Sequence, residues 1–266
     1  MAKNDRALRF YNEVLGLDRL HYGMWDNDPM SLDGVRAAQS RYEDFLINSI
    51  PKNCKRILDV GCGTGIMSQQ LKANGFDVEG ISPDLFQQEL YQKKVGNPFY
   101  LSKFEDFIPS QKYDCIIMSE SCQYINLDLL FNKLKECLCD NGVFIVCDYF
   151  VLDHALSPFS KSGHNLNRFL KLLKFENFVI VKEKDITKEV TPTLDYAKFM
   201  VDQYILPSIK LLLEKVEEKH FWIYKVLMFF TKSKVAQFNK EYLLTDSEQF
   251  QKNKKYMFYQ CILAHS

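Results

Sequence analysis

One stretch of the sequence decides the fold: Ile57-Leu-Asp-Val-Gly-Cys-Gly-Thr-Gly65. It begins as a short apolar run, which predicts a buried strand, and it ends in three glycines at alternate positions. The apolar spacing of Ile66, Met67 and Leu71 predicts that a helix follows. Glycine permits a tight turn and a close approach of a ligand to the backbone, so the stretch predicts a ligand-binding loop between a strand and a helix.

Strand and helix patterns alternate outward from this loop. Further short apolar runs predict strands at residues 78–81, 99–101, 113–118 and 143–147, with helical patterns between them. Such alternation implies a mostly parallel, doubly wound sheet in an α/β fold. Ser82-Pro83 predicts the start of a helix with Ser82 as its N-cap.

Helical patterns also precede and follow the alternating region. Residues 7–15 and 32–46 read as amphipathic helices before the first strand, and residues 196–230 form a long helical, aromatic-rich stretch. Strand patterns at residues 178–181 and 256–264 enclose that stretch. Charged residues within it argue against a membrane span.

Composition describes a globular chain without a general charge bias. Of 266 residues, 47% are hydrophobic, and 34 basic side chains balance 34 acidic ones. This balance argues against a nucleic-acid partner, although a local charged patch stays open. The polar N-terminus lacks the apolar core of a signal peptide, and the eight cysteines include no C-x-x-C pair. We therefore expect a cytoplasmic protein with reduced thiols and no metal site.

The glycine spacing separates two ligand classes. A dinucleotide loop reads G-x-G-x-x-G, but here Ile66 stands at the third glycine position and Gly65 comes one place early. A nicotinamide-dependent oxidoreductase is therefore kept only as an alternative. The stretch resembles instead the acidic-x-G-x-G-x-G signature of class I S-adenosylmethionine-dependent methyltransferases. Tyr113-Asp114 and the turn Asp140-Asn-Gly142 also resemble that family, so the resemblance covers most of the chain.

The resemblance implies a fold and a reaction. The fold would be a doubly wound, mostly parallel, seven-stranded Rossmann-like sheet with N-terminal helices and a helical insertion before the last strand. The cofactor would be S-adenosyl-L-methionine, with S-adenosyl-L-homocysteine as product, and the acceptor would be N, O or C of a small or lipophilic molecule. The implied parts are an N-terminal helical lid (1–51), a cofactor-binding core (52–190), a helical substrate cap (191–250) and a closing strand (251–266).

The same resemblance places the cofactor site. The implied cofactor-binding residues in and after the strands are Asp59, Gly61, Cys62, Gly63, Ser82, Pro83, Glu105, Asp106 and Ser119. Asp59 could accept hydrogen bonds from a ligand ammonium or order the loop. The acidic pair at residues 105–106 could instead be solvated loop charges.

One position departs from the family pattern. The family usually ends its second strand with an acid that holds both ribose hydroxyls, and this chain has Ser82 there. A serine can make one such hydrogen bond but not the charged bidentate pair. Asp84 could substitute, or it could be a charge in the first turn of a helix. This departure motivates another alternative, a non-catalytic subunit that binds the cofactor.

Two segments provide the candidates for the acceptor side. The segment Leu20-His-Tyr-Gly-Met-Trp-Asp26 resembles the N-terminal part of cyclopropane-fatty-acid-synthase-like and tocopherol-methyltransferase-like enzymes. This resemblance implies that Tyr22 and Trp25 cover the methionine end of the cofactor and exclude water, unless the loop is only packed on the domain. If a general base is needed, the candidates are Glu120, Tyr124 and His21.

The aromatic segment at residues 221–230 has three interpretations. It could cap the substrate, lie on lipid as an amphipathic surface, or pack as an ordinary helix. The predicted partner is therefore a small or lipid-like molecule. Peripheral membrane contact and the oligomeric state are left open.

Overall fold

A computed structural model describes residues 13–264, apart from the side chains of residues 232–234 and 236. The predicted helix at residues 7–15 therefore lies largely outside the described residues. Within the described range, no helix is both long enough and apolar enough to cross a membrane.

One twisted sheet runs through the described chain. Its strands are β1 Arg56–Val60, β2 Asp77–Ser82, β3 Phe99–Leu101, β4 Tyr113–Ser119, β5 Leu138–Val151, β6 His164–Asn165, β7 Phe178–Asp185 and β8 Lys254–Leu263. Their order is β3-β2-β1-β4-β5-β8-β7, and the two-residue β6 pairs with β5 beside this path. β8 is antiparallel to β5 and β7, and the other pairs are parallel. The predicted doubly wound, mostly parallel sheet is confirmed, with β6 added.

Helices cover both faces of the sheet and extend beyond it. They are α1 Leu32–Asn48, α2 Ile66–Ala73, α3 Leu85–Lys94, α4 Leu127–Cys137, α5 Leu166–Phe175, α6 Thr187–Val190, α7 Pro192–Met200, α8 Leu206–Lys219, α9 Phe221–Leu243 and α10 Ser247–Asn253. A π-helical turn, Val201–Ile205, joins α7 to α8. The insertion before the last strand is therefore helical, as predicted.

The start of α3 differs from the prediction. Asp84, not Ser82, is the N-cap, because its carboxylate accepts hydrogen bonds from the backbone N–H groups of Phe86 and Gln87 at 2.8 and 3.0 Å. An aspartate satisfies two of the free N–H groups of the first turn and also complements the helix dipole. The predicted N-cap at Ser82 is wrong for this reason.

The core has two halves, one on each face of the sheet. Successive strand residues point to opposite faces, so Ile57 and Ile117 enter one apolar cluster while Leu58 and Ile116 enter the other. Strands buried on both faces read as continuous apolar runs, which is why the pattern of β1 and β4 was visible in the sequence. The parallel strands β1, β2 and β4 end at the same edge of this rigid sheet, where polar loops follow them.

Two neighbouring leucines of α4 test the assignment of the core. Leu130 is 0% exposed and Leu129 is 50% exposed. We expect Leu130→Ala to lower the free energy of unfolding by about 2–5 kcal/mol, because it leaves a cavity in the core. The control Leu129→Ala should change it by no more than about 0.5 kcal/mol. Urea denaturation measures both, and equal losses would contradict the described orientation of α4.

Candidate functional site

A cavity of about 650 Å³ opens at the edge of the sheet where β1, β2 and β4 end. Its walls are the loops that follow these strands, together with one N-terminal segment and the start of two helices. Crevices at the carboxyl ends of parallel strands are the usual ligand sites of open α/β sheets. The cavity is large enough for a ligand of nucleoside size.

The glycine loop between β1 and α2 forms the floor of this cavity. Gly61 has a φ of +73°, and a Cβ there would lie 2.4 Å from the Cβ of Ser121. Gly65 has a φ of +83°, and its Cβ would crowd the ring of Tyr91 at 3.1 Å. Gly63 also has a positive φ, +55°, but nothing lies within 4 Å of its Cβ position. The outer glycines thus serve packing, whereas the middle one leaves the backbone open to a ligand.

Asp59 is a buried carboxylate at the end of β1. It is 3% exposed and lines the cavity, and one of its oxygens accepts a hydrogen bond from the Ser68 hydroxyl at 2.6 Å. Burial raises the pKa of Asp59 to about 6. Among the side chains that the structure describes, no basic group lies within ion-pair distance of it. A cationic ligand would relieve the cost of ionising this group.

A second buried carboxylate, Glu43 of α1, enters the cavity from the opposite side. The Arg19 guanidinium donates to both of its oxygens at 2.9 Å, and Gln70 adds another hydrogen bond. The sequence interpretation missed both Glu43 and Arg19. A signal was present, because Glu43 follows Tyr42 on the apolar face of an amphipathic helix, where an acid needs a partner.

His21 is held between two acceptors. Its Nδ1 lies 2.8 Å from the carbonyl oxygen of Tyr22, and its Nε2 lies 3.1 Å from a carboxylate oxygen of Glu43. Neither acceptor can donate, so the ring satisfies both contacts only when both nitrogens carry a proton. Burial lowers the pKa of His21, but the hydrogen bond that its ring donates to Glu43 and the charges of Glu43 and Glu120 outweigh this effect and raise the pKa overall. The arrangement suits a fixed cation better than a proton acceptor.

Glu120 follows β4 with a φ of +53°, an uncommon conformation for a residue with a side chain. One carboxylate oxygen accepts hydrogen bonds from the Tyr22 backbone N–H at 2.7 Å and from the Tyr256 hydroxyl at 2.6 Å. Burial raises the pKa of Glu120, and the charge of His21 opposes only part of that rise. Glu120 therefore lies on the cavity wall as an oriented carboxyl group whose raised pKa favours the uptake of a proton.

The N-terminal aromatic segment, residues 20–26, borders the cavity, but the rings of Tyr22 and Trp25 do not line it. Tyr22 packs against Tyr256 with ring centroids 5.6 Å apart. Trp25 is buried, and its indole N–H donates to the Thr193 hydroxyl of α7 at 2.8 Å. Neither ring lines the cavity; Arg19, Leu20 and His21 do. The segment is thus anchored by its aromatic residues and faces the cavity with the residues just before them.

The remaining predicted residues divide between the cavity wall and the outside. Cys62, Ser82, Pro83, Glu105, Ser119 and Tyr124 line the cavity, as do Gly61 and Gly63. Asp106 is exposed and lies outside the wall.

β2 ends with Ser82, at the position where the family usually has an acid that holds the ribose. The hydroxyl of Ser82 donates to the side-chain oxygen of Gln87 at 2.7 Å. Asp84, Gln87 and Ser82 all line the cavity, although Asp84 caps α3 through one of its oxygens. The sequence interpretation missed Gln87, which lies in the first turn of α3, five residues after Ser82. Ser82 and Gln87 together present a polar pair at this place.

A metal centre was not expected from the sequence. Among the described residues, no group of three or more His, Cys, Asp or Glu side chains is arranged to hold a metal ion.

Comparison with known sequences finds one family. The family model described as "Methyltransferase domain" matches residues 35–177. The chain is 32% identical over 130 residues to malonyl-[acyl-carrier protein] O-methyltransferase 1 of Ilyobacter polytropus, covering 44% of this chain and 48% of that protein. It is 30% identical over 134 residues to a ubiquinone biosynthesis O-methyltransferase of Rickettsia canadensis, covering 43% and 56%. The chain thus spans about half the length of these relatives.

Solved structures share the fold over nearly the whole chain. A putative sarcosine dimethylglycine methyltransferase from Galdieria sulphuraria aligns with a TM-score of 0.72 at 15% identity, covering 97% of this chain and 98% of that one. Geranyl diphosphate C-methyltransferase from Streptomyces coelicolor aligns with a TM-score of 0.69 at 15% identity, covering 98% and 94%. At this identity the likeness shows the fold alone.

The burial of Asp59 predicts a pH-dependent stability. The folded-state pKa of Asp59, about 6, exceeds the ordinary 3.8. The contribution of Asp59 to the free energy of unfolding is therefore largest below about pH 4 and is lost as the pH rises through 6. As the pH rises from about 4 to about 8, the free energy of unfolding of Asp59→Asn should therefore increase by up to about 3 kcal/mol relative to that of the wild type. Urea denaturation across this range measures the difference. The exposed Asp77→Asn is the control, and identical pH profiles for all three proteins would contradict the burial argument.

Proposed function

The chain belongs to the methyltransferase-domain family, and from this membership we propose that it transfers the methyl group of S-adenosyl-L-methionine to N, O or C of a small or lipophilic molecule. One observation carries the proposal: the open backbone of Gly63 borders the same cavity as the buried, unneutralised carboxylate of Asp59. The protein's location stays a prediction.

The residues around the cavity fit the charged end of this cofactor. An amino-acid group carries an ammonium and a carboxylate. Asp59 suits the ammonium, because it is buried without a counter-charge in the described chain. The N–H groups of the glycine loop and of the start of α2 suit the carboxylate, because a helix N-terminus attracts anions. Arg19 and His21 add positive charge, although Glu43 holds both.

The adenosine end has a weaker set of partners. The Ser82 hydroxyl donates a hydrogen bond to Gln87 and accepts one from the Asp84 N–H at 3.3 Å, so its oxygen can accept one more from a ligand hydroxyl. The Gln87 amide nitrogen can donate nearby. This pair would replace the acid that the family usually places there. Glu105 lines the cavity after β3, and its carboxylate accepts a hydrogen bond from the backbone N–H of Asn126 at 2.9 Å. We assign Ser82 and Gln87 to the ribose and leave Asp84 as the cap of α3.

The sulfonium of the cofactor supplies an activated methyl group, so the protein mainly orients the acceptor and excludes water. The anchored segment at residues 19–26 closes one side of the cavity, and Leu20 is its apolar contribution to the wall. We propose that Glu120 takes the proton when the acceptor arrives protonated. Tyr256 and the Tyr22 N–H hold its carboxylate in place. His21 is then a positioning cation, and Tyr124 lies at the exposed rim of the cavity.

The relatives favour an oxygen acceptor. Both curated relatives described above are named O-methyltransferases, one for malonyl-acyl-carrier protein and one for ubiquinone biosynthesis. An alcohol or phenol acceptor would need a proton acceptor near its oxygen, which Glu120 can provide, whereas a carboxylate acceptor arrives ionised and needs none. A screen of cell extract with isotope-labelled donor, followed by mass spectrometry of labelled products, would identify the acceptor. Failure to bind S-adenosyl-L-homocysteine in titration calorimetry would contradict the proposal at its first step.

The open position of Gly63 predicts a selective loss of binding. Gly63→Ala places a methyl group in the cavity, so we expect its affinity for S-adenosyl-L-homocysteine to fall at least about tenfold by titration calorimetry. Gly75→Ala is a matched control. Gly75 also has a positive φ, +89°, and open space around it, but it lies outside the cavity wall.

Both variants should lose a similar amount of stability, about 1–2 kcal/mol, because a Cβ is strained at positive φ. Their affinities for S-adenosyl-L-homocysteine should differ, with the loss confined to Gly63→Ala. Equal affinities for the two variants would mean that the backbone of Gly63 does not meet the ligand.

A second variant tests the role of Glu120. In an assay with an acceptor from the screen that carries a proton on the methylated atom, Glu120→Gln should lower kcat by about 10²–10⁴-fold, because the amide cannot take that proton. Affinity for S-adenosyl-L-homocysteine should change little. The wild-type kcat should rise with pH through the raised pKa of Glu120.

The exposed Glu89→Gln of α3 is the control for this charge change. A full kcat in Glu120→Gln, with an unchanged pH profile, would exclude Glu120 as the proton acceptor.

A further inference from the structure

The hairpin of α8 and α9, residues 206–243, has no buried residue among its described side chains. We call this hairpin the arm. Large apolar groups are exposed along it, with Trp222 at 76% and Phe230 at 71% exposed. Exposed apolar patches of this kind usually mark a surface that meets another molecule.

The two sides of α9 differ. Tyr224, Met228 and Thr231 are half-buried at helical spacing and mark the side that packs against α8. Trp222 and Phe230 lie on the opposite side, where Val226 and Phe229 are exposed as well. The exposed side is therefore not needed for the contact between the two helices, and an apolar environment outside the chain would stabilise it.

Charge distinguishes α9 from α8. α9 contains four lysines, at positions 225, 232, 234 and 240, and one acidic residue, Glu241 in its last turn. Residues 206–219 balance three lysines with three glutamates. Where its side chain is described, Lys225 lies beside the aromatic groups, with Nζ 4.6 Å from the ring centroid of Phe221. An aromatic helix with an excess of lysines over acidic residues is typical of helices that lie at the boundary between water and an anionic lipid surface.

We propose that the arm docks on an anionic lipid surface. The exposed side of α9, around Trp222 and Phe230, enters the boundary between headgroups and acyl chains, and Lys225 and Lys240 contact the headgroup phosphates. Two copies of α9 placed side by side would instead bring like charges together, which disfavours a second copy as the occupant. This binding does not depend on methyl transfer.

The arm is connected to the wall of the cavity. It continues through the π-helical turn at residues 201–205 into α7, where the Thr193 hydroxyl accepts the Gly23 N–H at 3.0 Å and the Trp25 indole N–H at 2.8 Å. Those residues belong to the segment that closes the cavity. If the proposed function holds, docking of the arm would place this closure near the lipid from which a lipophilic acceptor comes.

Vesicle flotation of the full chain, without donor or acceptor, tests the docking alone. The probes are vesicles of phosphatidylcholine and vesicles of phosphatidylcholine mixed with phosphatidylglycerol, two parts to one. We expect flotation with the anionic vesicles and much less with the neutral ones, with the difference decreasing at high salt. Trp222 reports the same event, because its fluorescence should shift to the blue while the emission of the buried Trp25 stays unchanged.

Two pairs of variants separate the arm from other exposed surfaces. Trp222→Ser with Phe230→Ser should weaken binding to anionic vesicles at least about tenfold. Ile108→Ser with Phe175→Ser, which are also exposed but lie outside the arm, should leave it unchanged. Lys225→Glu with Lys240→Glu should also weaken it, whereas Lys171→Glu with Lys174→Glu in α5 should not.

Absence of flotation with anionic vesicles would overturn the proposal. Equal flotation of the arm variants and their controls would also overturn it. So would sedimentation showing a dimer that Trp222→Ser with Phe230→Ser dissociates, because the arm would then be covered by a second copy. In each case the calorimetric binding of S-adenosyl-L-homocysteine would still decide the proposed function separately.

Discussion

The cavity depends on carboxylates that the chain holds away from water. Asp59 and Glu43 are buried, and Glu120 is partly buried beside them, so each must be compensated by hydrogen bonds or positive charge. Arg19 and His21 compensate Glu43, and the charge of His21 also reaches Glu120. Asp59 has only a hydroxyl partner in the described chain. Asp59 is therefore the one of these three carboxylates that a positively charged ligand group would stabilise.

This electrostatic arrangement requires elements that are far apart in the sequence. The sheet brings the ends of β1 and β4 together, which places Asp59 and Glu120 on one cavity. α1 adds Glu43, and the segment before it adds Arg19 and His21. Tyr256 of the last strand then fixes Glu120 through its hydroxyl. The closing strand thus contributes to the site as well as to the sheet, which links the two ends of the chain through one carboxylate.

Local patterns in the sequence predicted the sheet and the glycine loop, because a strand buried on both faces and a run of alternate glycines are visible within ten residues. They did not predict the partners that tertiary structure brings together. Glu43, Arg19 and Gln87 reach the cavity from other elements, and Asp84 replaced Ser82 as N-cap because its carboxylate reaches two N–H groups. The neutral net charge also hid the excess of lysines in α9, since acidic residues elsewhere in the sequence balance it.

The proposed cofactor, S-adenosyl-L-methionine, would be held in this cavity by its charged end. A crystal structure of the chain with S-adenosyl-L-homocysteine is the decisive measurement. We expect the amino-acid end of the ligand over Gly63, its ammonium at Asp59 and its ribose at Ser82 and Gln87. A ligand bound elsewhere, or one whose amino-acid end lies away from Asp59, would exclude this binding mode.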